Sequence, residues 1–176
     1  IVAEQSVLGA MMLSKDAIAD VVESLRSGDF YKPAHATIYD AILDLYGRGE
    51  PADAVTVAAE LTKRNEMGRI GGAPYLHTLI SSVPTAANAG YYARIVAERA
   101  VMRRLVEAGT RITQMGYSDA GDADEVVDRA QAEIYAVTGG VESEDFIPLT
   151  EAVTTALDEI EAARGRDGQM IGVPTG

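Results

Sequence analysis

The chain has 176 residues, 47% of them apolar, and its 27 acids against 15 Lys and Arg leave a formal charge of −12. That balance argues against wholesale phosphate binding, because a nucleic-acid module usually shows a basic face. The lack of cysteine excludes disulfides, thiolate zinc sites and a thiol nucleophile, and no apolar stretch approaches the roughly 18 to 20 residues that a membrane span requires.

The first residues, Ile1-Val2-Ala3-Glu4-Gln5, carry neither an initiator Met nor a basic leader, so the sequence is expected to start inside its gene product. Val7, Leu8, Met11 and Met12 form a short apolar helical face. Ser14 is a good N-cap, with Asp16 in the first turn, for a helix carrying Ile18, Val21, Val22 and Leu25 on one side. After a loop at Gly28–Lys32, Pro33 suits the first position of a helix that places Ile38, Ile42, Leu45 and Tyr46 together and ends at Gly47-Arg48-Gly49. Asp53 caps the next, with Ala54, Val57, Ala58 and Leu61 inward. Gly71-Gly72 punctuates, and Leu76, Leu79, Ile80 and Val83 close the set. No convincing period of two occurs, so the chain reads as all-α, with five short helices making a globular bundle over 1–88.

Pro84-Thr85-Ala86-Ala87-Asn88 then releases a proline-free run from Ala89 to Tyr117. Val101, Leu105, Ala108, Ile112 and Met115 recur at the spacing of a helix–helix seam, and Val127, Ala130, Ile134 and Val137 repeat it after a turn-like Tyr117–Gly121. The two arms read as an antiparallel hairpin over 89–138. Tyr92, Ile95, Met102 and Val106 form a second apolar stripe on the first arm. One partner helix cannot cover both stripes. The hairpin is therefore expected to pair with a second chain, through a dimer seam of Val101, Leu105, Ala108, Ile112, Met115, Val127 and Ile134. The arms are oppositely charged: Arg94, Arg99, Arg103, Arg104 and Arg111 face two Glu on the first, while 116–145 carries nine acids against Arg129 alone. Flank pairing between them, at about 0 to 1 kcal/mol per exposed pair, is the economical reading.

Residues 139–176 change texture. Gly139–Asp145 is Gly-rich and acidic, a linker by composition. Leu149, Val153, Ala156, Leu157 and Ile160 then mark a separate amphipathic helix over about 149–163, with acids mostly outward.

Candidates for chemistry are few. His35 and His77 stand on separate helices without a carboxylate at metal-ligand spacing, and each reads as a core or surface histidine. Gly68-Arg69-Ile70-Gly71-Gly72 lacks the Lys and Ser/Thr of a phosphate-cradling loop. Asp119, Asp122 and Asp124 lack the glycine and terminal Glu of a calcium loop. No catalytic, cofactor or metal site is expected here.

Four blocks in order resemble one family: Glu4-Gln5-Ser6-Val7-Leu8-Gly9; Asp29-Phe30-Tyr31 with His35 and Ile38-Tyr39; Gly49-Glu50-Pro51-Ala52-Asp53 with Val55-Thr56; and Gly71-Gly72 with Tyr75-Leu76, running into Pro84–Asn88, Tyr92-Ala93-Arg94-Ile95 and Arg103-Arg104-Leu105. Together they look like the N-terminal domain of the bacterial replicative DNA helicase, the DnaB family. Gly172-Val173-Pro174-Thr175-Gly176 resembles the start of that family's RecA-like ATPase domain. The resemblance implies a non-catalytic assembly and recruitment domain, pairing through its hairpins and setting three dimers as a collar on a hexamer. The parent would be a cytoplasmic, ATP-driven 5′–3′ helicase on single-stranded DNA, with ATP and Mg²⁺ in the C-terminal domain beyond this chain. Primase and a helicase loader are the implied partners, with Tyr75, Val106 and Ile112 facing primase. The segment around 149–163 looks like the linker helix, docking on a neighbour's ATPase domain through Leu149, Val153, Leu157 and Ile160. Two other readings are a self-associating helical adaptor of another system and a small enzyme built on His35 or His77.

Overall fold

Ten helical segments follow one another in the structure, a computed structural model that describes residues 1–118 and 122–138. In order they are α1 (Val2–Leu13), α2 (Lys15–Val22), a 3₁₀ turn (Ser27–Asp29), α3 (Pro33–Gly47), α4 (Ala54–Lys63), α5 (Met67–Ile70), α6 (Ala73–Ser81), a 3₁₀ turn (Ala86–Asn88), α7 (Ala89–Tyr117) and α8 (Ala123–Val137). No strand occurs among the described residues, and the all-α expectation holds. The expected linker and amphipathic helix, with Leu149, Val153, Leu157 and Ile160, lie outside the described residues.

Local chemistry accounts for the boundaries. Asp53 Oδ1 accepts from the backbone N–H groups of Val55 (2.8 Å) and Thr56 (3.0 Å) at the start of α4, and the polarised bonds hold its carboxyl below the usual carboxylate range. Pro33 occupies the first turn of α3, where a missing N–H costs nothing. Gly71, at φ 94°, ends α5 in the left-handed region that glycine enters freely. The four-residue α5 is a turn that no apolar periodicity announced.

α1 is the axis of the head. Glu4, Ser6 and every residue from Val7 to Met12 are buried, as befits a helix surrounded on all sides. It packs on α2, α3, α6 and α7. Contact with α6 is tight at Gly9, where a Cβ would collide with the Leu79 carbonyl oxygen and Val83 Cγ2 and lie 2.8 Å from the Leu79 carbonyl carbon.

The long helix α7 belongs to two neighbourhoods. Its first half buries Ala89, Ala93, Val96 and Ala100, a small-residue stripe that brings α7 close onto α1 and into the head's core. Its second half packs against α8. Head and hairpin consequently share one helix, and Ile1–Val137 forms one compact unit. Rising numbers on α7 meet falling numbers on α8, with Arg104 bonded to Val137 and Arg111 to Glu133. The two helices run antiparallel.

Candidate functional site

Three arrangements outside the aliphatic core could carry function: a buried polar cluster, a junction, and an outward face. The first joins α1, α3 and α6. His35 is fully buried; its Nδ1 lies 2.6 Å from Glu4 Oε2 and its Nε2 2.7 Å from the Tyr75 hydroxyl. Glu4 Oε1 accepts from the Tyr31 N–H at 2.8 Å, and Gln5 Nε2 lies 3.3 Å from the Tyr75 oxygen. Burial holds the imidazole below its usual pKa and outweighs the opposing pull of the Glu4 carboxylate. A neutral ring that donates to Glu4 and accepts from Tyr75 satisfies every member. Both ring nitrogens are taken, so the cluster fastens helices and offers nothing to a substrate. Sequence reasoning gave His35 no carboxylate partner; Glu4 lies 31 residues away. Tyr75, expected on a partner-facing surface, turns its hydroxyl inward here, and the Lys32 ammonium lies 5.9 Å from its ring centroid. His77 is exposed on α6.

The second arrangement fixes the hairpin to the head. Asp29 Oδ2 accepts from the Arg26 N–H at 2.8 Å, and its Oδ1 pairs with Arg104 Nη1 at 2.5 Å. Arg104 also donates from Nε to the Val137 carbonyl at 3.0 Å, capping the end of α8 as cations do at helix C-termini. Arg103 adds a bond to the Asp29 carbonyl and lies over the Tyr31 ring. One turn of the head, α7 and the last residue of α8 thus meet on Arg104. The expected flank pairing appears at Arg111–Glu133, 2.8 Å.

The third arrangement divides the residues expected to form one seam. Ala108 is buried, and Val101, Ile112 and Met115 are half-buried; on α8 the corresponding stripe is Val126, Ala130, Glu133 and Val137. Leu105 (46%), Val127 (52%) and Ile134 (48%) remain exposed. At about 100° per residue on antiparallel helices, all three point to one side of the hairpin. Met102 and Val106 continue the exposed surface around α7. Among the described residues there is no group of three or more acids and histidines able to hold a metal ion, and no helix is long and apolar enough to cross a membrane.

A family model described as "DnaB-like helicase N terminal domain" matches residues 1–98. The chain belongs to this family. It is 66% identical over 176 residues to the replicative DNA helicase DnaB of Leifsonia xyli subsp. xyli, and 68% identical to that of Mycobacterium leprae. Those alignments cover 100% and 99% of this chain but 38% and 29% of the relatives, so the chain spans well under half of their length. Among solved structures, the crystal structure of the N-terminal domain of DnaB helicase from Mycobacterium tuberculosis shares 76% identity at a TM-score of 0.74, over 76% of this chain and 94% of that one. A DnaB-like replicative helicase whose structure was described with its interactions with primase aligns at 25% identity and a TM-score of 0.62, over 99% of this chain and 37% of that one. Nothing in these matches supports the adaptor of another system. The family description and the solved structure from Mycobacterium tuberculosis both name an N-terminal domain.

Proposed function

We propose that this domain acts without chemistry of its own, as the assembly and partner-recruitment collar of a replicative DNA helicase. The observation that carries the proposal is the outward apolar face of Leu105, Val127 and Ile134, on a hairpin whose own packing already uses Ala108, Val126, Ala130 and Val137. A second copy presenting the same face covers it by two-fold symmetry. Fully burying a large aliphatic side chain is worth about 1.5 to 3 kcal/mol, and these three are roughly half exposed. Six of them across a dimer therefore supply about 6 kcal/mol, comparable with the low end of the about 4 to 15 kcal/mol cost of association. The isolated domain pairs weakly; a hexameric ring of motor domains strengthens the pairing by raising effective concentration. Three such dimers form the collar.

In the whole protein, ATP and Mg²⁺ belong to the C-terminal motor domain, which moves along single-stranded DNA and unwinds the duplex in the cytoplasm. The segment carrying Leu149, Val153, Leu157 and Ile160 is assigned, on the family resemblance, to docking on a neighbouring motor domain. Primase is the recruited partner, with Val106 the most exposed of the three residues assigned to it; Ile112 and Tyr75 are half-buried. A helicase loader is a further partner.

Sedimentation equilibrium tests the pairing. The unaltered chain should approach a dimer in the upper micromolar range, whereas Leu105→Asp and Ile134→Asp should stay monomeric with unchanged helicity, because each puts a charge into the covered face. A dimer that survives both substitutions would end this account of the hairpin.

A further inference from the structure

We infer that the cleft between the end of α2 and the start of α7 binds a free guanine nucleoside monophosphate, a small ligand that the collar reading does not call for. The hollow measures about 700 Å³ and is open to solvent, within the range of about 300 to 1,000 Å³ typical of small-molecule sites. One wall carries Asp20 and Glu23, three residues apart and therefore neighbours on one helical face. The other carries Tyr91 and Arg94, spaced alike in the first turns of α7. Gly90 lets the walls approach: a Cβ built there would already touch Asp20 Cβ at 3.7 Å, so anything larger than alanine narrows the cleft. Tyr91 is 61% exposed; the Arg94 guanidinium lies 5.8 Å from its ring centroid, and Tyr92 meets it edge-on at 6.4 Å. Among the described residues, the side chains of Asp20, Glu23 and Arg94 take part in no hydrogen bond or ion pair. Two acceptors, a cation and an aromatic face thus converge on one hollow with their bonding capacity unspent.

The ligand follows from what the two walls can pair with. An ionised carboxylate only accepts hydrogen bonds, and the guanine edge offers it two parallel donors, N1–H and the N2 amino group. Adenine presents an acceptor at N1 in the same place. Tyr91 supplies a stacking surface that any base can use, and Arg94 a planar fork for a phosphate. Ser24 and Asn88 complete the lining with hydroxyl and amide groups suited to a sugar. Acids on α2 and the cation on α7 match a ligand with a neutral donor edge at one end and an anionic phosphate at the other. A single arginine lines the cleft, so a monophosphate is matched, whereas a triphosphate leaves negative charge unpaired beside two carboxylates. The net charge of −12 opposes any anion at long range, but screening over about 8 Å at physiological salt leaves the local groups dominant. A wholly cationic ligand suits Asp20 and Glu23 and is repelled by Arg94. Because the ligand would bridge α2 to the helix that head and hairpin share, occupancy should also raise the melting temperature of the domain by mass action.

The test uses the 176-residue chain itself, with guanosine 5′-monophosphate as the probe and adenosine 5′-monophosphate as its control, followed by titration calorimetry and saturation-transfer NMR. The guanine nucleotide should bind with a Kd on the order of 0.1 to 1 mM, the weakness expected of an open cleft. The adenine nucleotide should bind at least about tenfold more weakly, through the lost donor pair; this comparison needs no variant. Tyr91→Ala should weaken the guanine nucleotide by about fivefold or more, and the double change Asp20→Asn with Glu23→Gln should abolish the preference for guanine. Arg94→Gln should cost about tenfold for the nucleotide and leave guanosine, which has no phosphate, unaffected. Helicity should be unchanged in all three. No binding of the guanine nucleotide at millimolar concentration, equal affinity for the two nucleotides, or absence of the expected effect in any of the three variants would overturn the proposal. Tighter binding of a deoxyguanosine-rich oligonucleotide than of the mononucleotide would give the cleft to a strand and overturn it too. None of these results bears on hairpin pairing, which sedimentation reads separately.

Discussion

Gly9 offers a sharp test of how the head is packed, because propensity and packing pull a Gly→Ala change there in opposite directions. In the middle of α1, alanine is favoured over glycine by about 1 kcal/mol on intrinsic grounds. Against this, the new methyl meets the Leu79 carbonyl oxygen and Val83 Cγ2, and lies 2.8 Å from the Leu79 carbonyl carbon. A side chain could rotate away, but a helix backbone cannot move without shifting α6 as a whole. Overpacking a close-packed core costs about 1 to 3 kcal/mol, occasionally more, and a backbone clash belongs at the top of that range. The net expectation is a loss of about 2 kcal/mol, which for a domain of this size lowers Tm by about 8 °C. Gly68→Ala in α5 is the matched control. A Cβ there meets nothing within 4 Å, and the change should add about 0.4 to 1 kcal/mol by restricting the unfolded chain. Both are read by thermal and urea unfolding monitored by far-ultraviolet circular dichroism. Gly9→Ala unfolding at or above the temperature of the unaltered domain would refute the close α1–α6 contact.

Two further predictions concern the polar arrangements. Burial lowers the folded-state pKa of His35, so its neutral form contributes stability that is present above the unfolded value of about 6.5 and lost as pH falls through it. The urea midpoint of the unaltered domain should therefore drop between about pH 7 and pH 5, and His35→Gln, less stable at pH 7, should lack that part of the slope; parallel curves would contradict the burial of a neutral ring. Arg104→Met leaves the buried Asp29 carboxylate with only the Arg26 N–H and uncaps α8. With the arginine itself partly exposed, a loss of about 1 to 2 kcal/mol is expected, together with faster amide exchange in 133–138, and unchanged exchange there would remove Arg104 from the junction.

Much of the helical order was legible because it is local chemistry. Asp53 and Pro33 mark helix starts through bonds within three residues, and the apolar faces of α1 to α4 need only their own period. What escaped the sequence joins distant residues. Glu4 and Tyr75 reach His35 across 31 and 40 positions, and Asp29 reaches Arg104 across 75. The alanines at 89, 93 and 100 gave no strong apolar signal, so α7 read as leaving the head at its first residue, whereas their smallness is what lets half of it pack on α1. On α8 the apolar spacing favoured Val127 and Ile134 as the side facing α7. The helix is turned by about one residue because Glu133 faces inward to pair with Arg111, which places Val126 inside and leaves Val127 and Ile134 on the surface. That turn creates the outward face on which the pairing proposal rests.

Cover on that face can be measured by thiol labelling, since the chain has no native cysteine. Gln131→Cys places a single thiol between Val127 and Ile134 on the same side of α8, and Ala132→Cys places one about 100° away. The alkylation rate at position 131 should fall as protein concentration rises through the pairing range while the rate at 132 stays constant. Rates at both positions that are independent of concentration would show that no second copy covers the hairpin.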